Sequence, residues 1–348
     1  PGWHSKPVLS EVPEPEPGPG QVVIQVGGAG VCHSDLHLMS DFESGQLPWE
    51  PPFTLGHENA GWVHRVGAGV HGFEPGQPVA VTGAWGCGTC ARCRDGVEIY
   101  CENLAEAPVP GGGGGLGLDG GMADFMLVHD SRFLVPLPDG LDPVHAAPLT
   151  DAGLTPYHAI KRSLAKLTPD ATAVVIGAGG LGHMAVQILK VMSSAAVIVV
   201  DPLKAARDLA LSVGADVALE PGEELVATIR EHTRGRGADL VLDLVGSDST
   251  LADAAGMTRS LGDLTIVGIA GGTLPVSFFS QAYEVSIQTT YWGTRHELGE
   301  VLELAARKLI AAEVHPHPLE DGPEVYRQLR AGEIAGRAVL QPSMLYDP

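Results

Sequence analysis

An apolar run, Thr172–Ile176, breaks into Gly177-Ala178-Gly179-Gly180-Leu181-Gly182. A helical pattern then continues to Met192, and an acid, Asp201, closes the next apolar run. No other feature restricts the fold so strongly. A strand that turns on glycines straight into a helix aims the helix's first N–H groups, with their partial positive charge, at whatever occupies the turn. The glycines permit the tight turn, the close approach of backbone to a pyrophosphate, and close packing of helix on strand. Asp201 stands where a carboxylate accepts hydrogen bonds from an adenosine ribose and repels a 2′-phosphate, so the pattern predicts NAD rather than NADP. Gly177, Gly179, Gly180, Leu181, Gly182 and Asp201 are therefore the expected cofactor-binding residues. A glycine loop with a surface aspartate at a strand end is the bland alternative, and the combined strand, helix and acid disfavour it.

The surroundings agree with this reading. From Asp170 onward, apolar runs at Thr172–Ile176, Val197–Val200, Leu240–Leu244 and Leu264–Val267 alternate with helical patterns at Leu181–Met192, Lys204–Val213 and Glu223–Thr233. Weaker strands at Asp216–Leu219 and near Val285–Thr290 would complete six. Such alternation predicts an α/β region with a doubly wound parallel sheet. Upstream, Gln21 to about Arg132 reads as short strands (Gln21–Val26, Gly61–Val66, Pro78–Thr82, Met126–Val128) in long Gly/Pro loops, a mostly-β region. The glycine run Gly111–Gly115 reads as a flexible connection. Beyond Trp292 a helical stretch, Glu297–Leu309, and a short tail are too small to stand alone and should pack back on the N-terminal region. The expected organisation is a domain over 1–152, a nucleotide-binding domain over 153–290 and a returning segment over 291–348.

Forty-two acidic against twenty-one basic residues give a net charge of −21, which repels phosphate backbones and anionic lipid. Nucleic-acid and membrane roles are thereby disfavoured. With no apolar leader and no bilayer-length apolar stretch, a cytoplasmic protein is expected. Four of the five cysteines form Cys87-x2-Cys90-x2-Cys93-x7-Cys101. One loop can fold those thiolates into the closed tetrahedron of a structural zinc site, spanning 87–101. Two disulfides fit poorly with a chain lacking a secretion signal, and iron–sulfur clusters use other spacings. A zinc ribbon binding nucleic acid is opposed by the charge.

The fifth cysteine lies in Val31-Cys32-His33-Ser34-Asp35-Leu36-His37, and Gly56-His57-Glu58 follows downstream. A catalytic zinc needs three protein ligands and an open position, of which Cys32 and His57 supply two. Taken singly, a buried cysteine and a hydrogen-bonded histidine would be ordinary core residues.

Gly56-His57-Glu58-x2-Gly61-x5-Gly67, the four-cysteine lobe and the nucleotide loop, in that order, resemble the zinc-dependent medium-chain dehydrogenase/reductase family over nearly the whole chain. Pro148–Tyr157 and Tyr291-Trp292-Gly293-Thr294-Arg295 are similar in texture to bacterial NAD-dependent secondary-alcohol dehydrogenases and aryl-aldehyde (phenylacetaldehyde-type) reductases. The resemblance implies a GroES-like catalytic domain before the Rossmann domain, two zinc ions per subunit, and a homo-oligomer, tetramer or dimer. It implies Cys32 and His57 as catalytic-zinc ligands, with Glu58 beside the metal as a transient ligand. Ser34 would hydrogen-bond the substrate oxygen, His37 would pass the proton to solvent, and Asp35 would brace His57. Arg337, after Gly336, resembles a pyrophosphate-contacting arginine, with an ordinary surface arginine as the alternative.

Many family members place a second cysteine where this chain has Asp151, and no thiol remains to fill that role. An aspartate keeps the site formally neutral, so Asp151 is the implied third ligand, against the alternatives of Glu58 as the permanent third ligand or of Asp151 as a cap for the following helix. The implied chemistry is Lewis-acid activation of an alcohol, which gives hydride to C4 of NAD. Tyr291 and Trp292 are candidates for an apolar substrate wall. A family member acting on a polyol or aldehyde adduct, and a non-catalytic NAD-binding relative, are the competing readings. The second would be expected to lose Cys32, His57, Ser34 and His37, all of which are present.

Overall fold

The computed structural model describes residues 2–342 and divides into two compact units. One takes the chain up to Leu154, together with Trp292–Lys308 and the residues from Ala312 on; the other takes Thr155–Tyr291 with Leu309–Ala311.

In the first unit the buried apolar residues of Val22–Gly30 form the centre of a seven-stranded sheet. That strand pairs antiparallel with Glu58–Val66, Phe125–Val128 and Arg337–Gln341. Val22, Ile24, Val26, Val63, Val79, Val81, Trp85, Met126 and Phe133 make its core. Glu58 and His57 thus stand at the beginning of a central strand, where a side chain is held from both sides.

The C-terminal segment returns to this unit, but with more structure than its sequence advertises. Val314–Pro318 and Arg337–Gln341 are parallel sheet strands, and Gly322–Arg330 is a helix between them. Two prolines in Val-His-Pro-His-Pro mask the first strand, which survives because it is an edge strand and needs fewer N–H donors.

The glycine run also differs from expectation. Gly112 to Gly115 are buried, and a Cβ at Gly113 would collide with the Gly83 carbonyl, one at Gly114 with Met126, and one at Gly115 with the Gly56 carbonyl. These glycines serve close backbone packing rather than flexibility.

The second unit carries six parallel strands. In chain order they are Thr172–Ile176, Ala196–Val200, Val217–Leu219, Ala238–Asp243, Thr258–Ile266 and Ser286–Thr289. Across the sheet, Val217–Leu219 lies at one edge, then Ala196–Val200, Thr172–Ile176, Ala238–Asp243, Thr258–Ile266 and Ser286–Thr289. The reversal of order beside Thr172–Ile176 is the switch point of a doubly wound sheet, where such folds take their ligands. Among the described residues no helix is long and apolar enough to cross a membrane.

Candidate active site and metal centres

The glycine loop leaves the carboxyl end of Thr172–Ile176, and the helix Gly182–Met192 follows it. Gly177 has φ +91°, and a Cβ at Gly182 would collide with the Gly177 carbonyl, so both positions require glycine. A Cβ at Gly179 would project into open space, which leaves the backbone approachable from outside. Asp201 is buried at the end of the neighbouring strand. Its Oδ2 accepts from the Ala178 N–H at 2.7 Å and its Oδ1 from the Leu203 N–H at 2.8 Å. The acid therefore orders the glycine loop itself, a role the sequence did not reveal.

Two clusters in the first unit have the donor sets of metal sites, each with all ligand atoms within 4.8 Å of one another. In the lobe, Cys87 and Cys93 sulfurs lie 3.9 Å apart, as do those of Cys90 and Cys101. A tetrahedron of zinc–sulfur bonds has edges of about 3.8 Å, so the four thiols fit the ion. Backbone N–H groups of Cys90 and Thr89 donate to the Cys87 sulfur at 3.3 and 3.4 Å. With the Thr89 hydroxyl, these bonds hold the Cys87 thiol down at about 6. Burial instead pushes Cys93 up to about 12. Such a buried thiol becomes an easy thiolate beside a divalent cation.

The second cluster is Cys32, His57, Glu58 and Asp151. Cys32 precedes the helix His33–Ser40, and a capping box with Asp35 fixes the turn: the Cys32 N–H donates to Asp35 Oδ2 at 3.1 Å. Asp35 Oδ1 faces His57 Nδ1 at 3.1 Å, and neither buried atom has another hydrogen-bond partner. This leaves His57 Nε2 pointing at the cluster, 3.7 Å from Asp151 Oδ2 and 3.3 Å from the Ser34 hydroxyl. Asp151 Oδ2 lies 3.8 Å from the Cys32 sulfur. One sulfur, one nitrogen and one carboxylate oxygen around tetrahedral zinc are separated by about 3.5 Å, so Asp151 Oδ2 stands within a few tenths of an ångström of that spacing from both Cys32 and His57.

Asp151 follows the short helix Ala147–Thr150, and the next helix begins at Leu154, which puts Gly153 rather than Asp151 at its capping position.

Glu58 is fully buried and paired with Arg337 through both carboxylate oxygens, Nε to Oε2 at 2.9 Å and Nη2 to Oε1. Burial pushes the Glu58 carboxyl up to about 7 against the pull of that guanidinium. Arg337 is itself buried, so it is not the ordinary surface arginine. At the solvent edge His37 Nδ1 lies 2.5 Å from Asp41 Oδ2.

The structure brings Trp292 to this cluster. Its ring meets His57 edge to face, with centroids 5.8 Å apart, from a left-handed backbone at φ +46°. Gly83 makes room for it, since a Cβ there would collide with the indole. Gly83 carried no legible signal, because its neighbour is remote in sequence. Tyr291 belongs to the second unit and is 39% exposed. Tyr326 was also missed; its hydroxyl donates to Asp35 at 2.8 Å.

The chain is similar to known proteins over nearly its whole length. The family model described as alcohol dehydrogenase GroES-like domain matches residues 18–139, and that of zinc-binding dehydrogenase matches residues 180–307. An NAD-dependent alcohol dehydrogenase of Sulfurisphaera tokodaii is 36% identical, with 96% of each chain covered. The D-arabinose 1-dehydrogenase (NADP(+)) of Saccharolobus solfataricus is 34% identical, covering 96% of this chain and 94% of its own. The alcohol dehydrogenase structure from Aeropyrum pernix superposes with a TM-score of 0.90 at 38% identity, covering 98% of each chain.

Proposed function

Because the chain belongs to the zinc-dependent medium-chain dehydrogenase family, with the GroES-like and Rossmann-type domains of its NAD-dependent alcohol dehydrogenases, we propose that it interconverts secondary alcohols and ketones whose substituents are apolar or aryl. The observation carrying this substrate class is the Trp292 indole against the ring of His57. An aromatic wall beside the ligand cluster favours apolar substituents over hydroxyl-rich ones.

Cys32, His57 and Asp151 would hold the zinc, which when bound would supply Lewis-acid polarisation of the substrate oxygen. Ser34 would relay the hydroxyl proton of the alcohol, accepting it on oxygen while its own hydroxyl proton passes on toward His37, since its hydroxyl lies 3.3 Å from the ligand atom of His57. His37, a quarter exposed and paired with Asp41, hands that proton to water. Asp35 fixes the ring of His57 by facing Nδ1, so Nε2 keeps its lone pair for the cation. Arg337 neutralises Glu58 and holds it beside the ligands through both carboxylate oxygens. Gly177, Gly179, Gly180, Leu181 and Gly182 would cradle the pyrophosphate. Asp201 selects NAD. The protein works in the cytoplasm as a homo-oligomer, a tetramer or dimer.

The arabinose dehydrogenase relative favours a second reading, a sugar or polyol substrate with NADP. A panel of 1-phenylethanol, 2-butanol, D-arabinose and sorbitol, each with NAD and with NADP, separates the two by absorbance of the reduced cofactor. The expected result is highest kcat/KM for 1-phenylethanol with NAD. Preference for arabinose or for NADP would overturn the substrate reading.

A further inference from the structure

Behind the ligand cluster lies one buried carboxylate that serves three donors. Asp35 Oδ2 accepts from the Cys32 N–H at 3.1 Å and from the Tyr326 hydroxyl at 2.8 Å, while Oδ1 faces His57 Nδ1 at 3.1 Å. Asp35 is wholly inaccessible, His57 nearly so, and Tyr326 is 4% exposed. We infer that Tyr326 is a positioning residue for the catalytic metal: its hydroxyl clamps Asp35 in the rotamer that orients His57 and the Cys32 turn together. The inference rests on the reading that Cys32 and His57 are metal ligands.

The hydroxyl is what needs explaining. Tyr326 sits on the helix Gly322–Arg330 among Val31, Leu36, Val325, Leu329, Ala338 and Leu340. A phenylalanine would fill that apolar cluster equally well, and the polar atom would cost free energy there if it were unpaired. Besides a contact with the Met122 sulfur at 3.2 Å, the carboxylate of Asp35 is the partner that justifies it. Asp35 in turn has few alternatives. A carboxylate with no access to water needs donors on both oxygens, and without the phenol Oδ2 keeps only the Cys32 N–H. A rotation of Asp35 that recovers a donor for Oδ2 draws Oδ1 away from His57 Nδ1. The imidazole then loses both its fixed tautomer and its ring orientation, which are what an outer partner contributes to a metal-bound histidine.

The C-terminal segment, remote in sequence, thereby controls a metal site whose ligands all come from the first 151 residues.

The test uses the full chain and zinc alone as probe. Zinc affinity of the more labile site is measured by competition with a chromophoric chelator for the parent, Tyr326→Phe, Asp35→Asn and His57→Ala. The absorption bands of the cobalt-loaded proteins are recorded alongside. Tyr326→Phe is expected to weaken the labile site roughly 10- to 100-fold, the effect of losing an outer-sphere partner, and to shift the cobalt bands, while the four-cysteine site keeps its ion. Asp35→Asn, which leaves the phenol a carbonyl to bond but removes the carboxylate, should weaken the site at least as much. It also keeps the inference testable should Tyr326→Phe fold poorly. A Tyr326→Phe or Asp35→Asn protein with parental affinity and spectrum would overturn the positioning role, even if its melting temperature falls. If instead His57→Ala leaves the labile site unchanged, the ligand reading itself is wrong.

Discussion

Asp151→Ala is expected to lose the catalytic zinc and lower turnover on the order of 10³-fold, about 4 kcal/mol of barrier, while the four-cysteine lobe keeps its ion. Asp151 Oδ2 stands 3.8 Å from the Cys32 sulfur and 3.7 Å from His57 Nε2, and the carboxylate with the thiolate balances a divalent charge. Glu58, the rival third ligand, has both oxygens engaged by Arg337, so it cannot replace Asp151 without breaking a buried ion pair. Asp151→Asn should retain weak metal that mild chelators strip. Asp151→Cys restores charge and a good ligand and should regain the ion, with turnover limited by geometry. Metal analysis before and after chelation, run beside a kinetic assay, reads all three variants. A fully metallated, fully active Asp151→Ala protein would transfer the role to Glu58.

Ser34→Ala should lower kcat by roughly 10²- to 10⁴-fold with both zinc ions in place, the range for a proton-transfer group that touches the reacting atoms. The hydroxyl approaches His57 Nε2 at 3.3 Å, where the substrate oxygen must also come. His37→Gln should cost less, since His37 lies at the solvent edge against Asp41 and water can substitute for it. Metal content and kcat are measured on the same samples. Loss of zinc from either variant would show that the residue supports the site rather than the proton path.

These effects follow from residues that the sequence exposes unevenly. The glycine loop, Asp201 and the central strands were legible because close backbone approach and burial on both faces of a parallel sheet leave direct marks on residue type, glycines in the one case and unbroken apolar runs in the other. The cysteine lobe was legible because its ligands are close in sequence. Asp151 emerged through the family resemblance, which puts a ligand at its position, together with the absence of any cysteine left to fill that role. Other parts depend on contacts between distant segments. Nothing in Gly336-Arg337 says that its guanidinium will close on Glu58 rather than meet solvent, and Tyr326 reads as one more apolar position on an amphipathic helix. The strand Val314–Pro318 was hidden by prolines tolerated at an edge. The run Gly112–Gly115 looked loose because composition cannot distinguish a glycine that frees the chain from one that lets two backbones touch.

The central claim is that two metal sites with separate roles exist in one chain and that the Cys32–His57–Asp151 site carries the reaction. Stepwise chelation of the freshly purified protein, with zinc content and NAD-dependent oxidation of 1-phenylethanol followed together, tests it most directly. The account predicts two zinc ions per chain at the start, loss of all activity with the first ion removed, and recovery when one equivalent of zinc is returned. One ion or none in the fully active protein, or activity that survives removal of the first ion, would contradict it.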